Sequence, residues 1–342
     1  MRNVRAYGRL RPGDRVVVIA PSGPVEPARV EAGRAALRAL GLDVAVGKHL
    51  LDRVNLDGSA PARDAWHGLA GGDAERAADL ADAWCDPGVR AVICARGGYG
   101  ATPLLDRLDW AALAAATEAD VAAAGAPKIL HGSSDVTALH AAFGARLGVT
   151  TSFGPMAAGL LAGPGTVPGT VPGTGGGADG GADRAWTIDV LRAALFEGGA
   201  PLPGTRALRA GRAEGALTGG TLSLLTALLG TPYAPPPAAG RIAFLEDVTE
   251  APYRIDRMLV QLLQAGWFDG VAGIALGSWE ACGDPDELDA VFTARLGGLG
   301  VPVLAGVPAG HGARQGTLEL GAPAVLDADG RTLAPRAAGG AR

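Results

Sequence analysis

Short apolar runs alternate with longer amphipathic segments through the first half of the chain. The runs are rich in Val, Ile, Leu and Ala, which is typical of strands buried on both faces of a sheet. They cover residues 15–20, 43–46, 90–95 and 128–132. Between them, polar and apolar positions follow helical spacing in residues 26–40, 73–84 and 135–147. Strands that alternate with helices predict βαβ units and a parallel sheet.

The pattern changes after residue 162. Residues 163–183 repeat a Val-Pro-Gly-Thr unit, and their only large apolar residues are Val167 and Val171, which is typical of a linker. Beyond it, a glycine-rich stretch covers residues 211–220. The predicted helices there are residues 187–196, 221–229, 253–267 and 286–296, and the predicted strands are residues 241–246, 271–277, 301–305, 317–320 and 324–327.

We therefore predict an α/β protein with two domains. Residues 1–162 form an N-terminal domain with a parallel sheet of the flavodoxin-like or amidotransferase-like type. Residues 163–185 form a Gly/Pro-rich linker, and residues 186–335 form a C-terminal mixed α/β domain. A chain of 342 residues, 48% of them hydrophobic, is long enough to bury two such cores.

Charge and cysteine content narrow the classes of function. The net charge is −5 and no long basic run occurs, which argues against a nucleic-acid partner. The three cysteines are scattered, which is expected in a reducing cytoplasm rather than in a disulfide framework. The first apolar run is too short for a signal peptide, and no segment reaches the roughly 20 apolar residues of a membrane helix. We therefore expect a cytoplasmic protein without a membrane partner.

The segment from Gly132 to Asp135 carries the strongest candidate for a nucleophile. A predicted strand ends at Gly132, two serines follow, and a helix begins at Asp135. A serine on such a sharp turn projects its hydroxyl outward, beside the free N–H groups of the helix N-terminus. Because Gly132 gives the turn room two positions earlier, Ser134 is a better candidate than Ser133. The alternative is that either serine caps the helix.

A nucleophilic serine needs a base and a group that orients the base. Among five histidines, His131 fits a packed strand residue, whereas His311 lies in a glycine-flanked loop after a strand. The strand over residues 241–246 ends in Glu246, where a carboxylate can reach a crevice at the sheet edge. The alternatives for Glu246 are a solvated turn and an ion pair with Arg254 or Arg257.

The loop from Arg96 to Gly100 also follows a predicted strand. Its main-chain N–H groups could complete an oxyanion hole, or the loop could be an ordinary tight turn. The glycines lack the spacing of a phosphate-binding or dinucleotide-binding loop. The chain has neither an H-E-x-x-H nor a C-x-x-C motif, so we predict no metal and no cofactor.

Taken together, these segments resemble the LD-carboxypeptidases, or muramoyltetrapeptide carboxypeptidases, along most of the chain. The matching segments keep their order and spacing. They are Ala20-Pro21-Ser22-Gly23-Pro24, Arg96-Gly97-Gly98-Tyr99-Gly100-Ala101, Gly132-Ser133-Ser134-Asp135-Val136-Thr137, Gly219-Gly220, Leu245-Glu246-Asp247, Tyr253-Arg254-Ile255-Asp256-Arg257 and Gly310-His311. One difference from the family is Thr221, since Asn often follows the Gly-Gly pair.

The resemblance implies a Ser-Glu-His catalytic triad of Ser134, Glu246 and His311. It also implies an oxyanion hole of main-chain N–H groups, which we assign to Gly98 and Asp135. Members of the family are cytoplasmic, many are homodimers, and they need no metal. They cleave the bond between an L-centre and the terminal D-Ala of murein tetrapeptide during cell-wall recycling, so a murein peptide is the expected substrate.

Two other functions are consistent with the same residues. One is a self-immunity peptidase of the microcin C type, which would cleave a peptidyl- or aminoacyl-nucleotide analogue. The other is a ligand-binding protein without catalytic activity, in which the complete triad would have no purpose. The Arg96-Gly97-Gly98-Tyr99-Gly100 loop resembles the recycling enzymes more closely than the immunity peptidases.

Overall fold

The computed structural model describes residues 4–57, 59, 68–163 and 180–336, and their strands form two sheets. The strands, numbered along the chain, are β1 Arg15–Ile19, β2 Asp43–Val46, β3 Val89–Cys94, β4 Ile129–Gly132, β5 Thr151–Phe153, β6 Leu202–Pro203, β7 Arg206–Arg209, β8 Arg212–Thr221, β9 Arg241–Val248, β10 Gly273–Glu280, β11 Val303–Ala305, β12 Leu318–Leu320, β13 Pro323–Asp327 and β14 Thr332–Pro335. The α-helices are α1 Pro27–Ala39, α2 Asp73–Cys85, α3 Ala101–Leu104, α4 Trp110–Ala124, α5 Thr137–Leu147, α6 Gly180–Arg192, α7 Leu222–Ala227, α8 Pro252–Gln264 and α9 Pro285–Leu296.

The first sheet has the strand order β12-β5-β4-β3-β1-β2, and β1 to β5 are all parallel. The central strands β1, β3 and β4 are mostly apolar because both faces are covered, and their polar residues are Arg15, Arg90 and His131. On β1, Val17 and Ile19 pack with α2, α4 and α5, whereas Val16 and Val18 pack with α1 and α6. The predicted parallel α/β sheet is therefore confirmed, and its parallel strands direct their carboxyl ends toward one edge.

The second sheet has the order β6-β14-β13-β8-β9-β10-β11-β7 and mixes parallel with antiparallel pairs. Helices α7, α8 and α9 cover one face. The other face packs against the first sheet, where Phe244 of β9 contacts Phe153 of β5 edge to face, with ring centroids 5.2 Å apart. The predicted mixed α/β character of the second half is confirmed.

Strand β12 is found in the first sheet, although we expected residues 317–320 to belong to the C-terminal domain. It pairs antiparallel with β5, with Leu318 opposite Phe153. The chain thus returns from the second half to complete the first sheet. The division at residues 163–185 remains a prediction. Residues 164–179 lie outside the described residues, and residues 180–185 form the start of α6.

The glycine-rich stretch 211–220, which we left without an element, contains most of the long strand β8. Glycine is required in this strand because neighbouring atoms leave no room for a β-carbon. A β-carbon on Gly219 would lie 1.9 Å from the Phe244 carbonyl oxygen, and one on Gly220 would lie 2.7 Å from Thr137 Oγ1. Glycine in a strand often marks such a close approach. Helix α4 also has no counterpart in the predicted elements, because its many alanines lie on all sides and form no apolar stripe.

No helix in the described part of the chain is long and apolar enough to cross a membrane.

Candidate active site

Ser134 lies on a strained turn between β4 and α5. Gly132 ends the strand, Ser133 is extended and buried, and Ser134 adopts a φ of +60° before a 3₁₀ turn leads into the helix. A positive φ is uncommon for a residue with a β-carbon, and strain of this kind is typical of functional turns. Since Ser134 is partly exposed and Ser133 is buried, the turn presents the second serine to solvent.

The loop after β3 packs directly on Ser134. A β-carbon on Gly97 would lie 2.8 Å from Ser134 Cβ, 2.9 Å from its Oγ and 3.3 Å from the Asp135 amide nitrogen. Glycine is therefore required at position 97 for the loop to approach the serine. Gly98 follows with a φ of +114°. The two residues that we assigned to the oxyanion hole thus lie on the two segments that meet at Ser134.

The side chain of Asp135 has a separate, structural role that the sequence did not reveal. Its buried Oδ2 accepts hydrogen bonds from Ser22 Oγ at 2.6 Å and from the Ala101 amide at 2.8 Å. Burial raises the pKa of this carboxyl, while the two hydrogen bonds and the nearby Arg76 oppose the rise. Asp135 therefore ties together three loops at the carboxyl edge of the first sheet.

Glu246 of the second sheet forms a hydrogen-bonded pair with His311 of the loop between β11 and β12. Glu246 is fully buried on β9, and its Oε2 lies 2.6 Å from His311 Nδ1. A carboxylate can only accept here, so Nδ1 carries the proton and Nε2 of the neutral ring is free to accept one. Burial lowers the pKa of His311, but the charge and hydrogen bond of Glu246 outweigh it, and the pKa lies above its ordinary value.

Neighbouring hydroxyl groups hold both members of this pair. Thr221 Oγ1 donates to Glu246 Oε1 at 2.5 Å, so both carboxylate oxygens are engaged. Ser278 Oγ accepts from the amides of His311 at 2.7 Å and Gly312 at 3.1 Å, which fixes the histidine loop. The sequence contained no indication of either role. Its only signal was that Thr221 follows the Gly219-Gly220 pair.

Thr221 also connects the pair to the serine turn. Its Oγ1 lies 3.3 Å from the Ser134 carbonyl oxygen, and its amide donates to Thr137 Oγ1 at 3.1 Å. No hydrogen bond joins the side chains of Ser134 and His311 among residues 4–57, 59, 68–163 and 180–336. In ligand-free enzymes, catalytic hydrogen bonds are often long or misaligned.

The alternative partners of Glu246 are absent from its surroundings. Arg254 instead pairs with Glu250 at 3.7 Å, and the guanidinium of Arg257 lies over the Tyr253 ring. Because Glu246 is fully buried and pairs with neither arginine, both alternatives, a solvated turn and an ion pair, are wrong.

The other histidines have structural surroundings. His131 lies between Ser152 Oγ and the Pro155 carbonyl oxygen, at 2.8 Å from each, and His140 Nε2 donates to the Gly132 carbonyl at 3.0 Å. Burial lowers the pKa of both rings to about 4. The prediction that His131 is a packed strand residue is confirmed. His49 pairs with Asp52 near the surface, and His67 lies outside the described residues.

Within the described ranges, no group of three or more His, Cys, Asp or Glu side chains is arranged to hold a metal ion.

Comparison with known proteins places the chain in a family. Residues 16–154 match the LD-carboxypeptidase N-terminal domain, and residues 214–326 match the LD-carboxypeptidase C-terminal domain. The chain is 46% identical to the SCO6489 protein of Streptomyces coelicolor, over 97% of this chain and 96% of that protein. It is 32% identical to the murein tetrapeptide carboxypeptidase of Pseudomonas aeruginosa, over 92% of this chain and 93% of that protein.

Solved structures agree with this assignment. The muramoyltetrapeptide carboxypeptidase from Oxalobacter formigenes superposes with a TM-score of 0.73 at 26% identity, covering 93% of this chain and 97% of that one. The MccF protein in complex with glutamyl sulfamoyl guanosine superposes with a TM-score of 0.77 at 23% identity, covering 97% and 98%, and so shares the fold. Both halves of the chain match, and relatives above 30% identity span nearly all of it, so the chain belongs to the LD-carboxypeptidase family of peptidases.

Proposed function

We propose that this protein is a serine carboxypeptidase that releases the terminal D-Ala from murein tetrapeptide by hydrolysing an L,D-peptide bond. The observation that carries the proposal is the 2.6 Å hydrogen bond between His311 Nδ1 and buried Glu246, together with the strained Ser134 turn beside Thr221. The names of the Pseudomonas and Oxalobacter relatives support a murein peptide as the substrate. A role in cell-wall recycling, a cytoplasmic location and a homodimer are parts of the same proposal.

The proposed reaction has two stages. Ser134 Oγ attacks the carbonyl carbon of the L-residue, its proton passes to His311 Nε2, and Glu246 stabilises the imidazolium. The amide N–H groups of Gly98 and Asp135 would bind the oxyanion of the tetrahedral intermediate. His311 then returns the proton to the departing D-Ala amine, which leaves an acyl-enzyme. Water, deprotonated by His311, hydrolyses that ester and restores the serine.

The test is D-Ala release from murein tetrapeptide by the wild-type protein and by two serine variants. Ser134→Ala should lower kcat by about 10⁴-fold or more, as loss of a triad nucleophile does in serine peptidases. Ser133→Ala, the matched control, should keep most of the activity because Ser133 is buried and precedes the turn. A reversed result would refute the assignment of Ser134.

A second candidate is hydrolysis of an aminoacyl-nucleotide analogue. Similarity to the Escherichia coli microcin C7 self-immunity protein MccF, at 28% identity over 76% of this chain, favours including it. Assaying hydrolysis of an aminoacyl sulfamoyl adenosine and of murein tetrapeptide in parallel distinguishes the two candidate functions. Turnover of the nucleotide alone would replace the recycling proposal, and turnover of neither substrate would favour a binding protein.

A further inference from the structure

Arg96 belongs to the glycine loop that packs on the Ser134 turn. The residue begins the loop after β3, and its side chain lies against Gly23 and Gly98. A β-carbon on Gly98 would stand 3.4 Å from Arg96 Nη2, and one on Gly23 would stand 3.3 Å from Cζ. Gly97, which separates Arg96 from Gly98, is the residue that contacts Ser134. Arg96 and Ser134 therefore contact the same glycine loop, Ser134 at Gly97 and the guanidinium at Gly98.

This guanidinium has no anionic partner in the described part of the chain. Its Nε donates to the Gly97 carbonyl at 3.2 Å and its Nη1 to the Pro24 carbonyl at 3.0 Å. Nη2 donates to no acceptor among the described residues, and no carboxylate there lies within 4.0 Å. Burial lowers the pKa of Arg96, with no neighbouring negative charge to offset it.

Arg76, close by in the same region, provides a contrast. Its guanidinium is fully buried, but it donates to the carbonyls of Pro21 and Gly100 and also pairs with Asp73. Partly buried charges in proteins are normally paired, because an unpaired one loses hydration without compensation. Arg76 follows that rule. Arg96 departs from it on the loop that contacts Ser134.

A peptidase that removes one residue from a chain end must recognise a free carboxylate close to the bond it cuts. In the substrate, the terminal carboxylate carbon is three bonds beyond the scissile carbonyl carbon, a span of about 3–4 Å. A guanidinium on the loop that contacts the nucleophile is a candidate partner for that carboxylate. Its planar fork can also donate two parallel hydrogen bonds to the two oxygens.

We propose that Arg96 binds the terminal carboxylate of the substrate through Nη2 and the remaining Nη1 proton, and so confers specificity for a single C-terminal residue. This inference rests on the proposed peptidase function. Arg96 would act as a binding residue, while Ser134, Glu246 and His311 perform the chemistry. The alternative is that Arg96 only braces the loop through its bonds to Pro24 and Gly97.

The experiment compares two substrates that differ only at the terminus: murein tetrapeptide ending in D-Ala and the same peptide ending in D-alaninamide. Wild-type protein should prefer the carboxylate in kcat/KM by at least about 100-fold, a range expected for a buried ion pair. In Arg96→Met the preference for the carboxylate should fall to a few-fold, mainly because KM for the carboxylate substrate rises. Arg96→Lys, which keeps the charge but not the fork, should be intermediate. Arg295→Met, which removes an exposed guanidinium paired with Asp256, should retain the preference.

The ratio of kcat/KM for the two substrates shows whether Arg96 binds the carboxylate or only supports the loop. If Arg96 only supports the loop, Arg96→Met will slow both substrates equally and leave the preference intact, which would overturn the inference. Calorimetric binding of both peptides to Ser134→Ala, with and without Arg96→Met, decides the matter without turnover. If the wild type releases no D-Ala but carboxylate binding still depends on Arg96, the proposed function fails and the inference stands. Carboxylate binding that is unaffected by Arg96→Met would refute the inference alone.

Discussion

At the scale of single residues, both oxygens of the Glu246 carboxylate are engaged. Oε2 accepts from His311 and Oε1 accepts from Thr221, whose single hydroxyl proton goes to the nearer, charged acceptor. Gly310 completes the arrangement. A β-carbon there would lie 2.5 Å from Glu246 Oε2 and 2.6 Å from Ser278 Oγ, so only glycine lets the histidine loop approach this closely. The orientation of His311 is therefore set by its own loop as well as by the carboxylate.

Replacing Glu246 by Gln should remove the negative charge beside His311 and keep a side chain of nearly the same shape. The negative charge raises the pKa of His311 against the opposing effect of burial, so its loss should lower that pKa. Because His311 must be neutral to accept the serine proton, the acidic limb of the kcat/KM profile should move to lower pH. The maximal rate should fall by about 10³–10⁴-fold, as it does when the orienting carboxylate of a triad is lost.

The measurement is D-Ala release between pH 4.5 and 9, with circular dichroism as a check on folding. Glu214→Gln, the same substitution at an exposed residue of β8 that pairs with Arg212, is the matched control and should behave like the wild type. A Glu246→Gln protein that keeps both its rate and its acidic limb would contradict the role assigned to Glu246.

At the scale of elements, α6 supports the histidine loop. Asp183 pairs with Arg314 at 2.7 Å, the Arg314 guanidinium lies over the Trp186 ring, and Thr187 Oγ1 accepts from the Gln315 amide at 3.1 Å. The predicted linker was expected to extend to residue 185. Since α6 begins at Gly180, Asp183 belongs to a helix that contacts the loop of His311.

Residues 164–179 should be dispensable for stability. They contain only two large apolar residues, Val167 and Val171, and so can bury little apolar surface. The flanking residues are already close, because Arg184 Nη2 donates to the Leu161 carbonyl at 2.7 Å. Replacing 164–179 with eight Gly/Ser residues should therefore leave Tm unchanged within about 5 °C, which corresponds to about 1–2 kcal/mol for a chain of this size.

Thermal unfolding monitored by circular dichroism would measure the effect. The informative control replaces residues 164–185 with the same linker, which also removes Asp183 and part of α6. That variant should lose both stability and activity. A large loss of Tm in the shorter replacement would mean that 164–179 contributes to packing.

At the scale of the whole molecule, the two sheets form one unit around a shared apolar layer. Phe153 of β5, Phe244 of β9 and both leucines of β12 meet there. This layer holds the Ser134 turn, at the edge of one sheet, beside Glu246 on the other. The carboxyl end of a parallel sheet is the usual place for a site in an α/β protein, and here the parallel strands of the mixed second sheet contribute to it as well.

The buried histidines should make the fold sensitive to acid. Burial lowers the pKa of folded His131 and His140 to about 4, whereas the unfolded imidazoles bind a proton near pH 6.5. The unfolded chain therefore binds more protons between these values, and the free energy of unfolding falls as the pH drops from about 6.5 to about 4. Asp247 partly opposes this loss, since burial and the adjacent Glu246 raise its folded pKa to about 6.

Replacing His140 with Phe should remove one of these contributions. Between pH 7 and pH 5, the variant should lose about 2 kcal/mol less unfolding free energy than the wild type. The Gly132 carbonyl would still accept the Gly154 amide, so little hydrogen bonding is lost. Urea unfolding at the two pH values measures the difference. The same substitution at His49, near the surface, should leave the acid loss intact, and equal acid loss in the wild type and His140→Phe would refute the explanation.

Local patterns in the sequence determined much of this molecule. Apolar runs predicted β1 to β4 closely, because strands that are buried on both faces, such as β1, β3 and β4, are mostly apolar. Helical spacing and Pro27 at the first turn predicted α1, and the Gly-Ser-Ser-Asp segment predicted a strand-to-helix turn at Ser134. The motifs also indicated the family, although composition and spacing alone could not have joined Ser134, Glu246 and His311.

Only the tertiary structure decided how those segments meet. Ser134 adopts its positive φ in a turn that lies against Gly97, and the hydrogen bond between Glu246 and His311 joins residues 65 positions apart. The pairing of β12 with β5, and the need for glycine along β8, depend on which strands become neighbours. Periodicity and turn chemistry are properties of neighbouring residues. A contact between distant residues depends instead on packing of the whole chain, which no local pattern records.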